Sequence, residues 1–396
     1  MSLVINDNPV SYASLHGDLL FTVYNATNVS NTGYKYVCDI YIDSVLVART
    51  KAFPNPTHLR GVFNIGPVVR NYITTQLNLT IPTTIQTQQM GSGEFYVDVV
   101  CKFGEEYGGT LYTNLVVDSS RRFYNHFNGR LLDTETKLSS FVNKCPSNRP
   151  YLNSALYTSL FTEKFSFLPY FPETTSPYTV WVKTYLSDGT LQNENSDSFT
   201  PSGSKVLQIL DVSPAGLCSV FEGVIDTDTA YYIVKVGPTE ETASVYRFDI
   251  VCEPKYTARS IHFLNQYGGF ESVVFSKISR KNIEVEKKDF KQLPYRVNSS
   301  GVVSYYQSQV LHDTRTVYAS KFREKQIFNS DFMSDEGYQW LKELIVSPIV
   351  YLEESGYLVP VTIVETSYEE KKVVNDKLTS LSITVEFGEQ YNAQYR

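Results

Sequence analysis

Short stretches in which apolar and polar residues alternate, each cut off by Gly, Pro, Asn, Asp or Ser, recur along this chain. In the last of them, Leu378 to Phe387, the residues Leu381, Ile383, Val385 and Phe387 fall on one side and Ser382, Thr384 and Glu386 on the other. A period of two is the signature of a strand with one buried face, because successive side chains leave a strand in opposite directions. The pattern therefore predicts antiparallel sheets. The aromatic content agrees: 30 Tyr and 23 Phe stand against two Trp and three Met, and flat rings pack well across neighbouring strands. Abundant Tyr also suits protein interfaces, where the ring excludes water and the hydroxyl finds a polar partner.

Residues 1–127 read as an N-terminal β-sandwich. Tyr36–Ile42 and Val45–Ala48 form a hairpin through Asp43-Ser44, Glu94–Cys101 is a further strand, and Gly66–Ile73 reads as a single helical turn with Pro at its first position. From Thr74 to Gln89 the sequence is rich in Thr, Gln and Asn without periodicity, and reads as a long exposed loop or arm. Residues 128–149 are a linker. Residues 150–255 form a second sandwich, with strands at Thr179–Tyr185, Val206–Leu210, Tyr231–Val236 and Tyr246–Val251. Trp181 on an early strand, with a Tyr-rich strand later, is the order of immunoglobulin-like and fibronectin-like domains and places that ring at the centre of the core. Residues 256–396 are a C-terminal β domain opening with a hairpin around Gly268-Gly269. An irregular charged insertion follows at 282–318, and then one α-helix at 334–345 with Ser334 as its cap and Tyr338, Leu341 and Ile345 on one face. The fold class is thus mainly β: tandem sandwiches followed by a β-rich domain with one α-helix, whose order of hairpin, insertion, helix and closing strands resembles that of tail-tube and hub modules.

Little in the chain carries chemistry. Formal net charge is −7, which gives no electrostatic reason for binding along a phosphate backbone. Met1–Asn8 lacks the basic and apolar regions of a secretion signal, and no apolar run reaches the ~18 residues of a membrane span. The expectation is a protein made and kept in the cytosol. Cys38, Cys101, Cys145, Cys218 and Cys252 are widely spaced and read as buried thiols rather than a disulfide or zinc framework. His16, His58, His126, His262 and His312 lie in no nucleophile motif, and His262 alternates with Ile261 and Phe263, on the side opposite their apolar surface. Ser202-Gly203-Ser204-Lys205 matches a serine–lysine motif without its companions. Glu105-Glu106, Glu240-Glu241 and Glu353-Glu354 read as solvated pairs whose members point to opposite faces. Asp226-Thr227-Asp228 begins like a calcium loop and does not continue as one. Asn-x-Ser/Thr triplets at Asn25, Asn28, Asn78 and Asn298 are accidents of composition in a cytosolic protein. No catalytic, cofactor or metal residue is assigned.

The Tyr-rich hairpin followed by Lys51-Ala52-Phe53-Pro54-Asn55-Pro56, Gly61-Val62-Phe63-Asn64-Ile65 and Val68-Val69-Arg70-Asn71-Tyr72 resembles structural proteins of phages that infect Bacteroidetes, including crAss-like phages. Ile261–Glu271 and the block from Leu341 to Val361 are similar to the same group. The likeness touches about a third of the positions. It implies a non-enzymatic virion protein of the tail or neck, such as a tail-barrel, hub or distal-tail component. Such a protein assembles as a homo-oligomeric ring and contacts adjacent virion proteins, with no nucleic acid or membrane as direct partner. Arms at Thr74–Gln89 or Asn282–Tyr318 and open strand edges supply the contacts. The competing expectation is a tail-tip adhesin, in which Tyr231-Tyr232 or Tyr305-Tyr306 stacks on sugars and one member of each pair lies in a core.

Overall fold

Asp43 and Ser44 both adopt positive φ, +48° and +65°, the backbone of a two-residue turn whose twist matches that of the strands it joins. They connect Lys35–Ile42 to Val45–Ala52, and Lys35–Ile42 pairs on its other side with Tyr96–Tyr107. The computed structural model describes residues 2–78, 84–127, 138–149, 165–250, 256–307, 310–311, 314–330, 335–364, 381–388 and 391–395. The protein is mainly β, 50% strand and 9% helical, in antiparallel sheets.

In the N-terminal unit the order Val45–Ala52, Lys35–Ile42, Tyr96–Tyr107, Thr110–Val117 forms one sheet, with Arg121–Tyr124 also on Tyr96–Tyr107. Val4–Asp7, Leu20–Tyr24 and Gly61–Asn64 form the other. Alternate residues from both meet in one core: Phe21, Val23 and Phe63 against Tyr36, Cys38, Ile40, Val99 and Phe103. The helical turn expected at Pro67 is present as Gly66–Val69, continued by a 3-10 turn at Arg70–Tyr72.

The second unit packs a sheet of Leu191–Phe199, Tyr178–Tyr185, Tyr231–Gly237 and Ser244–Asp249 on a smaller one of Phe167–Tyr170, Leu207–Asp211 and Gln86–Met90. The last strand corrects the reading of Thr74–Gln89 as exposed throughout. Gln86–Met90 pairs antiparallel with Leu207–Asp211; Ile85 and Met90 are buried, and the Thr87 hydroxyl donates to the Ile209 carbonyl at 3.0 Å. A polar strand is tolerated inside because its side chains find partners there. Trp181 also differs from expectation. Tyr178, Val180 and Val182 point into the core, so Trp181 lies on the outer face and is only half-buried. A short helix, Pro214–Val220, was not expected; Ser213 caps it by accepting from the Gly216 amide.

Arg259–Leu264 and Phe270–Phe275 form the hairpin of the C-terminal sheet. That sheet continues through Val350–Glu354, Tyr357–Ile363, Ser382–Phe387 and Arg315–Asn329 to Arg280–Lys291, with Tyr391–Tyr395 also on Arg315–Asn329. The helix, Asp335–Val346, covers one face, burying Tyr338, Trp340, Leu341 and Leu344 against Ile261, Phe263, Phe328 and Ile383. Ser334, its expected cap, lies outside the described residues, as do Cys252 and His312. A fourth cluster joins all three units: Phe95 and Tyr124, Phe167 and Leu207, and Leu264, Tyr267 and Phe270 pack together with Leu138 and Phe141 from the segment expected as a linker.

Candidate interaction surface

Arg280–Lys291 and Arg315–Asn329 pair along twelve positions, a ribbon of roughly 40 Å at ~3.4 Å per residue, with Tyr391–Tyr395 and Ser382–Phe387 on the other side of Arg315–Asn329 from Ala319 onward. The charged stretch expected to be irregular is therefore regular, with a bulge between Lys288 and Asp289. Smaller hairpin pieces, Arg296–Val297 with Val303–Ser304 and Tyr306–Gln307 with Val310–Leu311, extend it. Gly301, at φ +76°, and the Asn298 side chain, which accepts from the Ser300 and Val302 amides, close the turn.

Cross-strand register sorts the two faces. Glu284, Glu286 and Lys288 lie opposite Arg323, Lys321 and Ala319, and Lys325 bridges Glu284 at 2.6 Å while Arg323 reaches Glu386 at 3.1 Å. The other face is mixed, with Ile283 opposite Glu324, Val285 opposite Phe322 and Lys287 opposite Ser320. Ile283 is 62% exposed and Val285 51%. Phe290, Leu293, Val297, Val302 and Tyr305 are exposed as well. At about 25 cal/mol per Å², apolar area left in water on this scale is a source of binding free energy still unspent. Arg280–Lys291 also ends its sheet, so its outward amides and carbonyls have no strand beside them among the described residues.

Several polar groups lie in the interior and are tied to partners there. His262 is fully buried: it does oppose Ile261 and Phe263, but both faces of its strand are covered. Its Nδ1 lies 2.6 Å from the Ser272 hydroxyl and its Nε2 3.6 Å from Glu353. Burial pushes the imidazole pKa down, against the opposing pull of Glu353. The order Ser–His–Glu resembles a nucleophilic triad, but the Ser272 oxygen already accepts the Phe167 amide at 2.7 Å and is 1% exposed. No reacting carbonyl has room beside it.

A second network was missed from sequence. Arg149 is buried with its guanidinium 4.7 Å from the Phe248 ring and 5.3 Å from Trp340. Glu271, also buried, accepts from the Trp340 indole and from Asn265 Nδ2 at 2.9 Å. Burial raises the Glu271 carboxyl and lowers Arg149 to about 10. Glu343 accepts from Asn148 and from the Gln266 amide and side chain, and burial followed by the Glu271 charge raises it to about 7. Glu343 and Trp340 form the floor of an open cleft of about 600 Å³. The sequence signal was Glu271, the one acidic residue of the hairpin strands. Its partner Arg149 is over a hundred residues away.

The remaining candidates have structural partners. Glu105 corrects the reading of a solvated pair: it is buried and accepts from Asn25 at 2.5 Å, Tyr34 at 2.8 Å and Asn28 at 2.9 Å. Glu106 pairs with Lys35 and Lys51, and Glu240 with Lys183 and Lys235. Glu353 too is buried, whereas Glu354 meets Lys281. Asn25 is closed off by Glu105, Asp226 caps its own turn by accepting from Asp228 and Thr229, and Lys205 lies over the Tyr12 ring. His16 bonds Asn125, His126 bonds the Tyr12 carbonyl, and His58 accepts from the Arg60 amide. Cys38, Cys101 and Cys145 are buried thiols and Cys218 is half-buried. Tyr232 is in the core beneath half-buried Tyr231, while Tyr305 is exposed. Among the described residues no His, Cys, Asp and Glu cluster could hold a metal, and no helix is long and apolar enough to cross a membrane.

No protein-family model matches the chain, and no curated protein does. Among solved structures, dimeric latent PorU from Porphyromonas gingivalis matches at 13% identity over 64% of this chain and 20% of that one, with a TM-score of 0.15. The chain spans about a fifth of that protein, and a likeness of this size carries no argument.

Proposed function

We propose that this chain is a structural protein of a tailed-bacteriophage virion, building a symmetric ring in the tail or neck. The single observation that supports this best is the Arg280–Asn329 ribbon, which presents Ile283 and Val285 to solvent on a strand with an open edge. A strand pair left uncovered within one chain is covered when an adjoining protomer supplies the missing layer. Heterologous contacts of that kind close into rings when the rotation per subunit divides a full turn. The resemblance of Lys51–Tyr72 and Ile261–Glu271 to phage structural proteins supplies the virion context. On this reading the two sandwich-like units are of the immunoglobulin or fibronectin type, and the C-terminal sheet with its helix is a tube-like or hub-like module. The test is native mass measurement of the purified chain and of particles that contain it. A ring is expected, and a monodisperse monomer in both overturns the reading.

A second reading has one observation in its favour. Tyr185 and Tyr231 stack at 4.9 Å on the outer face of the second unit, which four residues along the strand also carries half-buried Trp181. Aromatic rings on an open sheet face suit sugar recognition by an adhesin. Glycan-array binding by the monomer, with Trp181→Ala abolishing it, would favour that reading over assembly.

A further inference from the structure

The ribbon differs in charge from the body that bears it. Residues 280–325 hold ten Lys and Arg against five Asp and Glu, whereas residues 151–255 hold six against thirteen. Lys287 and Lys288 make no ion pair among the described residues, and two adjacent cations on a strand edge are complemented by an acidic edge. The partner of the ribbon is therefore a different surface, and an acidic one.

The chain has long strand edges of its own to offer. Val45–Ala52 ends its sheet but carries Arg49 and Lys51, and Thr110–Val117 ends the same sheet with no charge. Leu191–Phe199 is the terminal strand of the second unit's four-stranded sheet, is exposed along most of its nine residues, and carries Glu194 and Asp197 with no basic residue. Glu194 is bridged by Lys183 of the neighbouring strand at 2.9 Å, while Asp197 makes no ion pair among the described residues. Asp188 lies in the preceding turn, and Asp226 accepts from Gln192 Nε2 at 2.6 Å, which fixes the Asp226–Asp228 turn beside the strand. Leu191, opposite Tyr185, adds an exposed apolar side chain on the outer face.

We infer that the free Arg280–Lys291 edge of the ribbon adds as a further strand to the free Leu191–Phe199 edge of a second copy of this chain. The contact joins different surfaces on the two copies, so it repeats from protomer to protomer. Backbone hydrogen bonds between the two edges supply affinity, and Lys287 and Lys288 against Glu194 and Asp197 supply selectivity. The inference rests on the assembly reading above and names the receiving surface for it.

The test uses the full chain. Lys287→Glu with Lys288→Glu, and separately Glu194→Lys with Asp197→Lys, are each expected to reduce the assembled fraction at least tenfold in native mass measurement. Combining all four substitutions should restore it. Circular dichroism checks that each variant is folded. As a measurement independent of charge reversal, mixed copies carrying Lys288→Cys and Ser196→Cys should form a disulfide-linked dimer on oxidation, and neither copy alone should. Assembly that survives both charge reversals, with no cross-link, overturns this inference and leaves the ring reading standing. A chain that stays monomeric at every concentration overturns the ring reading itself. A short duplex DNA that is retarded by the native chain and not by the ribbon variant would assign the ribbon to nucleic acid and overturn the inference as well.

Discussion

The carbonyl oxygen of Asn125 sits against Gly268, so close that a Cβ on that glycine would lie 2.1 Å from it. Gly268 also has φ +83°, and its neighbour Gly269 faces Pro169 with a Cβ position 2.5 Å from that ring. The turn of the C-terminal hairpin is thus pressed between the other two units, where Phe127 donates to the Gln266 carbonyl at 2.8 Å. Gly268→Ala combines a left-handed backbone with a backbone collision, and should cost about 3 kcal/mol or more. Gly189, at φ +84° in an open turn with its nearest neighbour 4.0 Å away, should cost only about 1 kcal/mol on the same change. Thermal melts of the two variants compare them directly, and equal losses would mean that the junction yields.

Arg149 and Glu271 share one buried site with Trp340. Removing the cation alone strands a carboxylate away from water, so Arg149→Met should cost about 3–5 kcal/mol. Adding Glu271→Gln removes the stranded charge and keeps the hydrogen bonds, and should recover more than half of that loss. Urea unfolding of the single and double variants measures the coupling. Additive losses would show that the two groups do not act as a pair.

Stability should depend on pH through Asp211, which burial raises to about 6 although the Ser166 and Ser213 amides bond it. A carboxyl raised on folding contributes stability that is complete below about pH 4 and is lost as pH climbs through 6. Glu343, raised to about 7, extends the loss toward neutrality. His262 works in the opposite sense: its pKa is lowered by burial, so the folded state loses ground on acidification below about 6.5. Asp211→Asn should flatten the fall between pH 4 and 7 by up to about 3 kcal/mol. Urea midpoints at several pH values read this out, and an unchanged profile would mean that the carboxyl is solvated.

The two tryptophans should report separate environments. Trp340 is buried under the helix and Trp181 is half-exposed on the outer face of the second unit. Acrylamide should quench the native chain and Trp340→Phe readily, and Trp181→Phe several-fold less. Equal quenching of the two variants would contradict the outward placement of Trp181.

Shortening the ribbon should leave the body folded. Glu286 and Lys321 face each other across it, so replacing 287–320 with Asn-Gly makes a two-residue hairpin turn at that point. The melting temperature should change by no more than about 2 °C, because little of the removed segment is buried, while assembly is lost. A large drop in melting temperature would show that the ribbon belongs to the core.

Hairpins and the helix were legible in the sequence because their signals are local: Asp43-Ser44 turns the chain, and Tyr338 and Leu341 repeat at helical spacing. What was not legible depends on partners far along the chain. Gln86-Thr87-Gln88-Gln89-Met90 has no apolar alternation and becomes a buried strand only beside Leu207–Asp211. Glu105 read as solvated because its three donors, Asn25, Asn28 and Tyr34, lie some eighty residues earlier. Trp181 read as a core residue because ring size does not reveal which face of a strand points inward. The ribbon was recognised as an extension, but its regular pairing was hidden by charges that serve as cross-strand ion pairs.

The Gln86–Met90 strand also sets an order of events at the ribosome. The residues it pairs with are made about a hundred positions later, which at 5–20 residues per second is a delay of roughly ten seconds. During that interval Ile85 and Met90 have no core to enter, and the nascent first lobe trails an unmatched strand beside its neighbours on the same message. Slowing translation just after residue 127 should therefore lower the soluble yield, and a chaperone that shields extended segments should restore it.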